Sequence, residues 1–225
     1  APRVGEFIRI RRDIHAHPEL AFEEHRTAAL VAQNLRDWGY EVTTGLGQTG
    51  VVGTLHRGKP GRSLGLRADM DALPIDEQGL ADWKSRSPGR MHACGHDGHT
   101  ATLLAAAQWI AQDVDFHGTL HLIFQPAEEG AGGALRMMAD GLFERFACDA
   151  VFALHNMPGV EAGHFVFRSG PTMASSDDVT ITLRGLGGHG AMPHRSIDTV
   201  VAASSIVMAL QTIVARNVDP QQTAV

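Results

Sequence analysis

The nine residues HACGHDGHT, 92–100, concentrate side chains that can bind metals or take part in redox chemistry. They contain three histidines, one of the chain's two cysteines and one aspartate. A structural zinc site closes around four ligands, usually in two close pairs, and the sequence has no second Cys/His pair at such spacing. A polar helix start capped by Asp97 or Thr100 would explain the aspartate but not Cys94. A catalytic metal site, which needs fewer protein ligands and keeps positions open, fits the pattern better.

Glu128, Glu129 and His155 are candidates to complete such a site. Adjacent carboxylates can divide two roles, because one can bind a cation while the other takes a proton from metal-bound water. Taken alone, the Glu pair would be a solvated turn and His155 a structural histidine. Together with Cys94 and His96, they favour a shared metal site.

The positions of these residues follow from the predicted elements. Apolar residues recur at helical spacing around 7–14, 28–38 (ended by Gly39), 96–110 and 133–140, while short β-rich runs cover 50–56, 63–69, 119–124 and 150–154. This alternation predicts an α/β domain with a largely parallel sheet covered by helices on both faces. Three of the strands end in MDALP, PAEEG and HNMPG. Ligands of open α/β sheets bind at that edge, so the polar residues should converge there.

Composition excludes several other classes of function. A net charge of −6 without a cluster of basic residues argues against a nucleic-acid partner. The apolar segment 199–215 is interrupted by polar residues and predicts a helix of a soluble protein rather than a membrane span. The N-terminus lacks the pattern of a signal peptide, and two cysteines make no disulfide framework, so we expect a cytoplasmic protein without a membrane partner.

Six motifs in order carry a resemblance to a known family. They are RRDIHAHPELAFEE, LRADMDALP, MHACGHDGHTA, IFQPAEEGAGGA, ALHNMPG and GGHGAMPH. Their order and separation resemble the metal-dependent amidohydrolases of the hippurate hydrolase and N-acyl-L-amino acid amidohydrolase group, related to plant auxin-conjugate hydrolases and carboxypeptidase G. The resemblance implies a zinc-peptidase-like α/β catalytic domain with a mostly parallel sheet at 1–175. Residues 176–225 would be the first, incomplete part of an inserted α+β lid or dimerisation domain.

The resemblance also implies a role for individual residues. Two divalent ions would share the Cys94 thiolate, with manganese first and zinc or nickel as alternatives. The implied further ligands are His96, Glu129 and His155; the general base is Glu128; the ligand-orienting residue is Asp71; and the oxyanion-stabilising residue is His189, from the lid of a partner in a homodimer or higher oligomer. The implied substrate is a small N-acyl amino acid, whose carboxylate Arg216 and Asn217 could bind, although Arg216 could equally be a charge at a helix C-terminus.

Two other functions remain open from the sequence. One is a dipeptidase or diaminopimelate-type deacylase of the same superfamily, against which Cys94 argues, because those enzymes place an aspartate as the shared ligand. The other is a catalytically incomplete metal-binding or dimerising fragment, because the resemblance implies a further metal-binding histidine beyond Val225.

Overall fold

The computed structural model describes residues 4–170, 172–173, 175, 177–219 and 221. The chain divides into two compact units, Ala1–Ala162 and Gly163–Val225. The predicted boundary between a catalytic and a lid domain, at 175/176, lies inside the second unit. The assignment of these two domains stays a prediction.

The first unit alternates helices and strands. The helices are α1 (Val4–Ala16), α2 (His25–Asp37), α3 (His96–Asp113), α4 (Gly133–Ala139) and α5 (Leu142–Arg145), and the strands are β1 (Glu41–Leu46), β2 (Gly50–Arg57), β3 (Ser63–Asp69), β4 (Gly118–Gln125) and β5 (Ala150–Ala153). Helix α2 ends as its sequence predicts, because Gly39 follows the C-cap in the left-handed conformation, at φ 85°. The sequence did not predict β1 or α5.

The strands form one mixed sheet in the order β1-β2-β4-β3-β5. Strand β2 pairs antiparallel with β1 and with β4, whereas β3 pairs parallel with β4 and with β5. The predicted α/β class is confirmed, and its parallel part is the half built from β3, β4 and β5.

Helices cover both faces of this sheet. The larger core cluster joins α1, α2 and α3 to the sheet through buried side chains that include Leu35, Leu104 and Phe124, each 0% exposed. A smaller cluster on α4 and α5 contains Met137 and Leu142. Truncating a buried side chain such as Phe124 to alanine typically lowers the free energy of unfolding by about 3–5 kcal/mol. Packing of this strength holds the strands, and therefore their ends, in place.

The parallel strands deliver their last residues to one edge. Asp69 at the end of β3 pairs with Gln125 at the end of β4, and β5 ends two residues before His155. The polar segments after these three strands therefore begin side by side, as the sequence predicts.

The second unit contains a 3₁₀ turn (Pro193–Arg195) and helix α6 (Thr199–Thr212), which continues as a π-helical turn (Ile213–Asn217). Asp198 caps α6 by accepting hydrogen bonds from the Val200 and Val201 amides. Residues 179–183, whose alternation predicts a strand, have no strand partner among the described residues. Ile181 and Leu183 of this segment line an open apolar groove of about 640 Å³ together with α6, and none of the predicted site residues lines it.

The stretch Thr199–Asn217 is long and apolar enough to cross a membrane by length and composition alone, with a mean hydropathy of 1.5. A single such helix is weak support for a membrane span, because core helices of soluble proteins satisfy the same criterion.

Candidate metal centre

The start of helix α3 brings the HACGHDGHT residues to the sheet edge. Gly95 is the N-cap and has φ 95°, a left-handed conformation that glycine adopts without strain. A Cβ at this position would collide with the Asn156 side chain. Glycine therefore permits the close approach that places Cys94 next to the segment after β5. The Cys94 Sγ lies 3.5 Å from the His155 Nε2.

His96 occupies the middle of the cluster and is fully buried. Its Nε2 lies 3.7 Å from a carboxylate oxygen of Asp69, 3.8 Å from one of Glu128 and 3.7 Å from one of Glu129. Ligand atoms of Cys94, His96 and His155 lie within 4.8 Å of one another, as do those of His96 with Glu128 and Glu129. The structure thus brings together all five residues that the sequence predicts as metal ligands or general base.

Asp71 holds two members of this cluster. Its Oδ1 lies 3.2 Å from His96 Nδ1, and its Oδ2 accepts a hydrogen bond of 2.9 Å from the Glu129 amide. Burial opposes ionisation of Asp71, but the contact with His96 and the amides of Glu129 and Glu128 outweigh it and lower the Asp71 pKa. An ionised Asp71 accepts a hydrogen bond from His96 Nδ1, so Nε2 is the ring atom that faces the carboxylates and is available to a metal ion.

A second pair of contacts orients the segment that carries His155. His99 Nδ1 lies 2.6 Å from Asp69 Oδ1, and its Nε2 accepts a 3.0 Å hydrogen bond from the Asn156 amide. His155 Nδ1 donates to the Asn156 carbonyl at 2.6 Å, which leaves its Nε2 directed toward Cys94. Burial opposes ionisation of Asp69, but His99, Arg67 and His96 lower its pKa to about 2. Asp69 is therefore an anion inside the cluster.

The charge balance of the cluster fits a cation. Burial and the neighbouring carboxylates of Glu129, Asp69 and Glu128 raise the Cys94 pKa to about 12, so the thiol keeps its proton unless a positive charge lies beside it. His96 Nε2 and Glu129 Oε1 are buried and have no hydrogen-bond partner within the described part of the chain. Buried polar atoms without a partner are costly, and a divalent ion bound to both atoms would satisfy them.

Neither candidate cap of α3 acts as one. Asp97 Oδ2 instead accepts from Arg11 Nε at 3.0 Å and contacts His15 Nδ1 at 3.0 Å. Thr100 donates to the Asp69 carbonyl at 2.8 Å. Both residues fix the first turn of α3 against α1 and β3.

The other predicted site residues lie in the second unit. His189 is exposed, and its Nδ1 accepts a hydrogen bond of 3.1 Å from the Ala191 amide. Arg216 donates to the Ala215 carbonyl and Asn217 to the Thr212 carbonyl, at the C-terminal end of the helix. Their roles in catalysis and substrate binding stay predictions.

Sequence reasoning gave no role to three residues that touch the cluster or its backbone, namely Asp69, His99 and Glu24, and it ranked Asp69 below Asp71 as the ligand-orienting residue. His99 could have been found, because it is three positions after His96 at the start of a helix and therefore on the same face. Asp69 is the last residue of the predicted strand 63–69 and so had a signal from its position, whereas Glu24 has none.

The peptidase family M20/M25/M40 matches this chain over residues 65–223. The chain belongs to this family. This match confirms the resemblance on which the six motifs agree.

Relatives in the family identify the group more narrowly. The chain is 53% identical over 221 residues to the hippurate hydrolase of Campylobacter jejuni, covering 98% of this chain and 57% of that protein. It is 42% identical over 222 residues to the N-acyl-L-amino acid amidohydrolase of Geobacillus stearothermophilus, covering 98% of this chain and 60% of that protein. The chain thus spans little more than half the length of these relatives.

A solved structure from the family shares the fold. The YXEP protein of Bacillus subtilis, a dinuclear metal-binding peptidase from the M20 family, superposes with a TM-score of 0.67 at 38% identity, covering 71% of this chain and 45% of that one.

Proposed function

We propose that the natural protein is a metal-dependent amidohydrolase that cleaves the amide bond of N-acyl amino acids. The proposal rests on one observation: three separate segments bring a thiol, two imidazoles and two glutamates together. Two atoms of this cluster, His96 Nε2 and Glu129 Oε1, are buried and have no hydrogen-bond partner among the described residues. The similarity to hippurate hydrolase supports a small acylated amino acid as the substrate.

Cys94, His96, Glu129 and His155 are the residues that would hold two divalent ions, and Asp69 is close enough to join them. Bound ions of this kind lower the pKa of coordinated water and polarise the scissile carbonyl. Thiolate and imidazole favour zinc or nickel, whereas carboxylates accept manganese, which the resemblance puts first.

The two glutamates differ in a way that favours separate roles. The Glu129 side chain is 25% exposed and its amide is fixed by Asp71, whereas the Glu128 side chain is 41% exposed. A general base must reach both the attacking water and the departing amine, so the more accessible Glu128 suits that role. Glu128 would take the proton from water and return it to the amine nitrogen as the C–N bond breaks.

His189 is the proposed donor to the oxyanion. Because its Nδ1 accepts from the Ala191 amide, its proton resides on Nε2, which leaves an N–H available to a negatively charged oxygen. By resemblance, this histidine would act from the lid of a partner subunit, which makes a cytoplasmic homodimer part of the proposal. Arg216 and Asn217 are the proposed contacts of the substrate carboxylate.

The test measures the release of benzoate from hippurate. It uses the natural polypeptide, whether that is these 225 residues or a longer chain that contains them. We expect release with added manganese and loss of release with a chelator. Glu128→Ala should retain the metal content of the wild type while turnover falls by roughly 10²–10⁴-fold. The matched variant, Glu129→Ala, should lose bound metal.

Full metal content in both variants would contradict the assigned division of labour. Chelator-resistant release, or no release from any N-acyl amino acid, would contradict the proposed reaction. Cleavage of dipeptides in place of hippurate would favour the dipeptidase alternative, and metal binding without any hydrolysis would favour the metal-binding fragment.

A further inference from the structure

The turn that carries Glu128 and Glu129 has an unusual backbone. Ala127 has φ 50°, in the left-handed region that residues with a side chain seldom adopt. Its side chain is fully buried, and its carbonyl accepts a hydrogen bond of 2.9 Å from the Gly133 amide. This conformation sets the direction in which the chain leaves β4, and therefore the direction of the glutamate that follows.

A buried carboxylate from a distant segment holds this turn. Glu24, directly before α2, is 0% exposed, and its Oε1 accepts a hydrogen bond of 2.9 Å from the Ala127 amide. Its other oxygen accepts from the hydroxyl of Thr49, which is also buried. Burial raises the Glu24 pKa, and the Thr49 hydroxyl and backbone amides only partly offset that effect. A buried carboxylate is costly to maintain, so its position under this turn needs a reason.

The turn is held from two sides by two acidic residues. Asp71 accepts from the Glu129 amide, on the side of the proposed metal ligand. Glu24 accepts from the amide of Ala127, the residue directly before the proposed base. Asp71 is also stabilised by the Glu128 amide, so it supports both glutamates, whereas Glu24 holds the residue directly before Glu128.

We propose that Glu24 is a positioning residue for Glu128, which acts by fixing the left-handed Ala127 through its amide. The inference rests on the proposed function, because it concerns the base of that reaction. Glu24 touches neither substrate nor metal; it sets the geometry from which Glu128 reaches the water.

The experiment uses the natural polypeptide and the variant Glu24→Ala, which removes the acceptor of the Ala127 amide. We expect kcat on hippurate to fall by roughly 10- to 100-fold, because misplacing a catalytic group by about 1 Å costs that much. KM should change little and metal stoichiometry should stay that of the wild type, since Asp71 still holds Glu129. Amide hydrogen exchange at Ala127, measured by NMR on the metal-free protein, should become faster.

Two variants separate positioning from general stability. Glu24→Gln keeps an oxygen for the Ala127 amide and can donate to Thr49, so its kcat should return to within about threefold of the wild type. Thr49→Val removes the other contact of Glu24 while leaving Ala127 bonded, so it should lower stability without lowering kcat. If Glu24→Ala does not fold, Glu24→Asp replaces it, because the shorter side chain withdraws the acceptor.

Three results would overturn the inference while leaving the proposed function intact: an unchanged kcat in Glu24→Ala, an equal fall of kcat in Thr49→Val, or unchanged exchange at Ala127. An inactive wild type would overturn the proposed function, and the inference with it.

Discussion

The contacts of Asp71 predict that two variants, Asp71→Asn and Asp71→Ala, rank one way in stability and the opposite way in metal affinity. Replacing Asp71 by asparagine keeps its volume but leaves one oxygen and one NH₂ group for two partners. The Glu129 amide can only donate, so the oxygen must face it, and the NH₂ group must then face His96 Nδ1. That contact requires Nδ1 to accept, which moves the proton to Nε2, where it blocks the lone pair that would bind a metal.

The magnitudes follow from these two hydrogen bonds. Asp71→Asn replaces charge-assisted bonds by neutral ones and should cost about 1–2 kcal/mol of the free energy of unfolding. Asp71→Ala leaves the Glu129 amide and the His96 Nδ1–H without acceptors, at about 1–3 kcal/mol for each group. Metal affinity should fall roughly 10- to 100-fold in Asp71→Asn, which corresponds to about 1.4–2.7 kcal/mol. It should fall less in Asp71→Ala, because no group there imposes the wrong tautomer.

The assay combines urea unfolding of the metal-free proteins with competition titrations of zinc against a chelator. We expect stability to decrease from the wild type to Asp71→Asn to Asp71→Ala. Metal affinity should instead decrease from the wild type to Asp71→Ala to Asp71→Asn. Affinities that follow the order of stability, or zinc binding to Asp71→Asn within threefold of the wild type, would refute the tautomer argument.

Three further predictions concern other parts of the first unit. Because the Cys94 pKa is raised to about 12, iodoacetamide should label this thiol in the metal-free protein at pH 8 roughly tenfold or more slowly than free cysteine, and equal rates would contradict the raised pKa. The hydrogen bond to Asp97, helped by Glu77, raises the His15 pKa against the opposing effect of burial. The stabilisation from His15 is therefore fully present below pH 6.5 and is lost as the pH rises through the pKa of the folded state. The free energy of unfolding should fall more between pH 6.5 and 8.5 in the wild type than in His15→Gln, and equal slopes would contradict this prediction. Gly133→Ala should destabilise the protein strongly in thermal unfolding, because the new Cβ would collide with the Pro126 carbonyl, and an unchanged melting temperature would show that the turn can move aside.

The parts of the structure that the sequence predicted are those with local signals. Helix α2 shows helical spacing and a terminal glycine, and β3 is a short apolar run between polar segments. The convergence of Cys94, Glu128 and His155 could be predicted because parallel strands end at a common edge. That rule needs only the type and order of the elements.

The remainder depends on contacts between distant positions. Glu24 and Ala127 are 103 positions apart, and nothing near Glu24 in the sequence marks it as buried. Strand β1 was missed because its EVTTGL sequence is short, polar and only partly buried. The segment 179–183 alternates in the sequence, but a strand also requires a partner, and within the described residues it has none.

The register of β3 against β4 has a consequence for which changes the site can tolerate. The two strands match residue for residue from Ser63 and Thr119 to Asp69 and Gln125. A slip of one position would move the end of β3 by about 3.3 Å and turn Asp69 to the opposite face. The hydrogen bonds between β3 and β4 therefore set the position of Asp69 relative to the proposed metal ligands. One residue inserted within β3 should therefore abolish zinc binding in the competition titration.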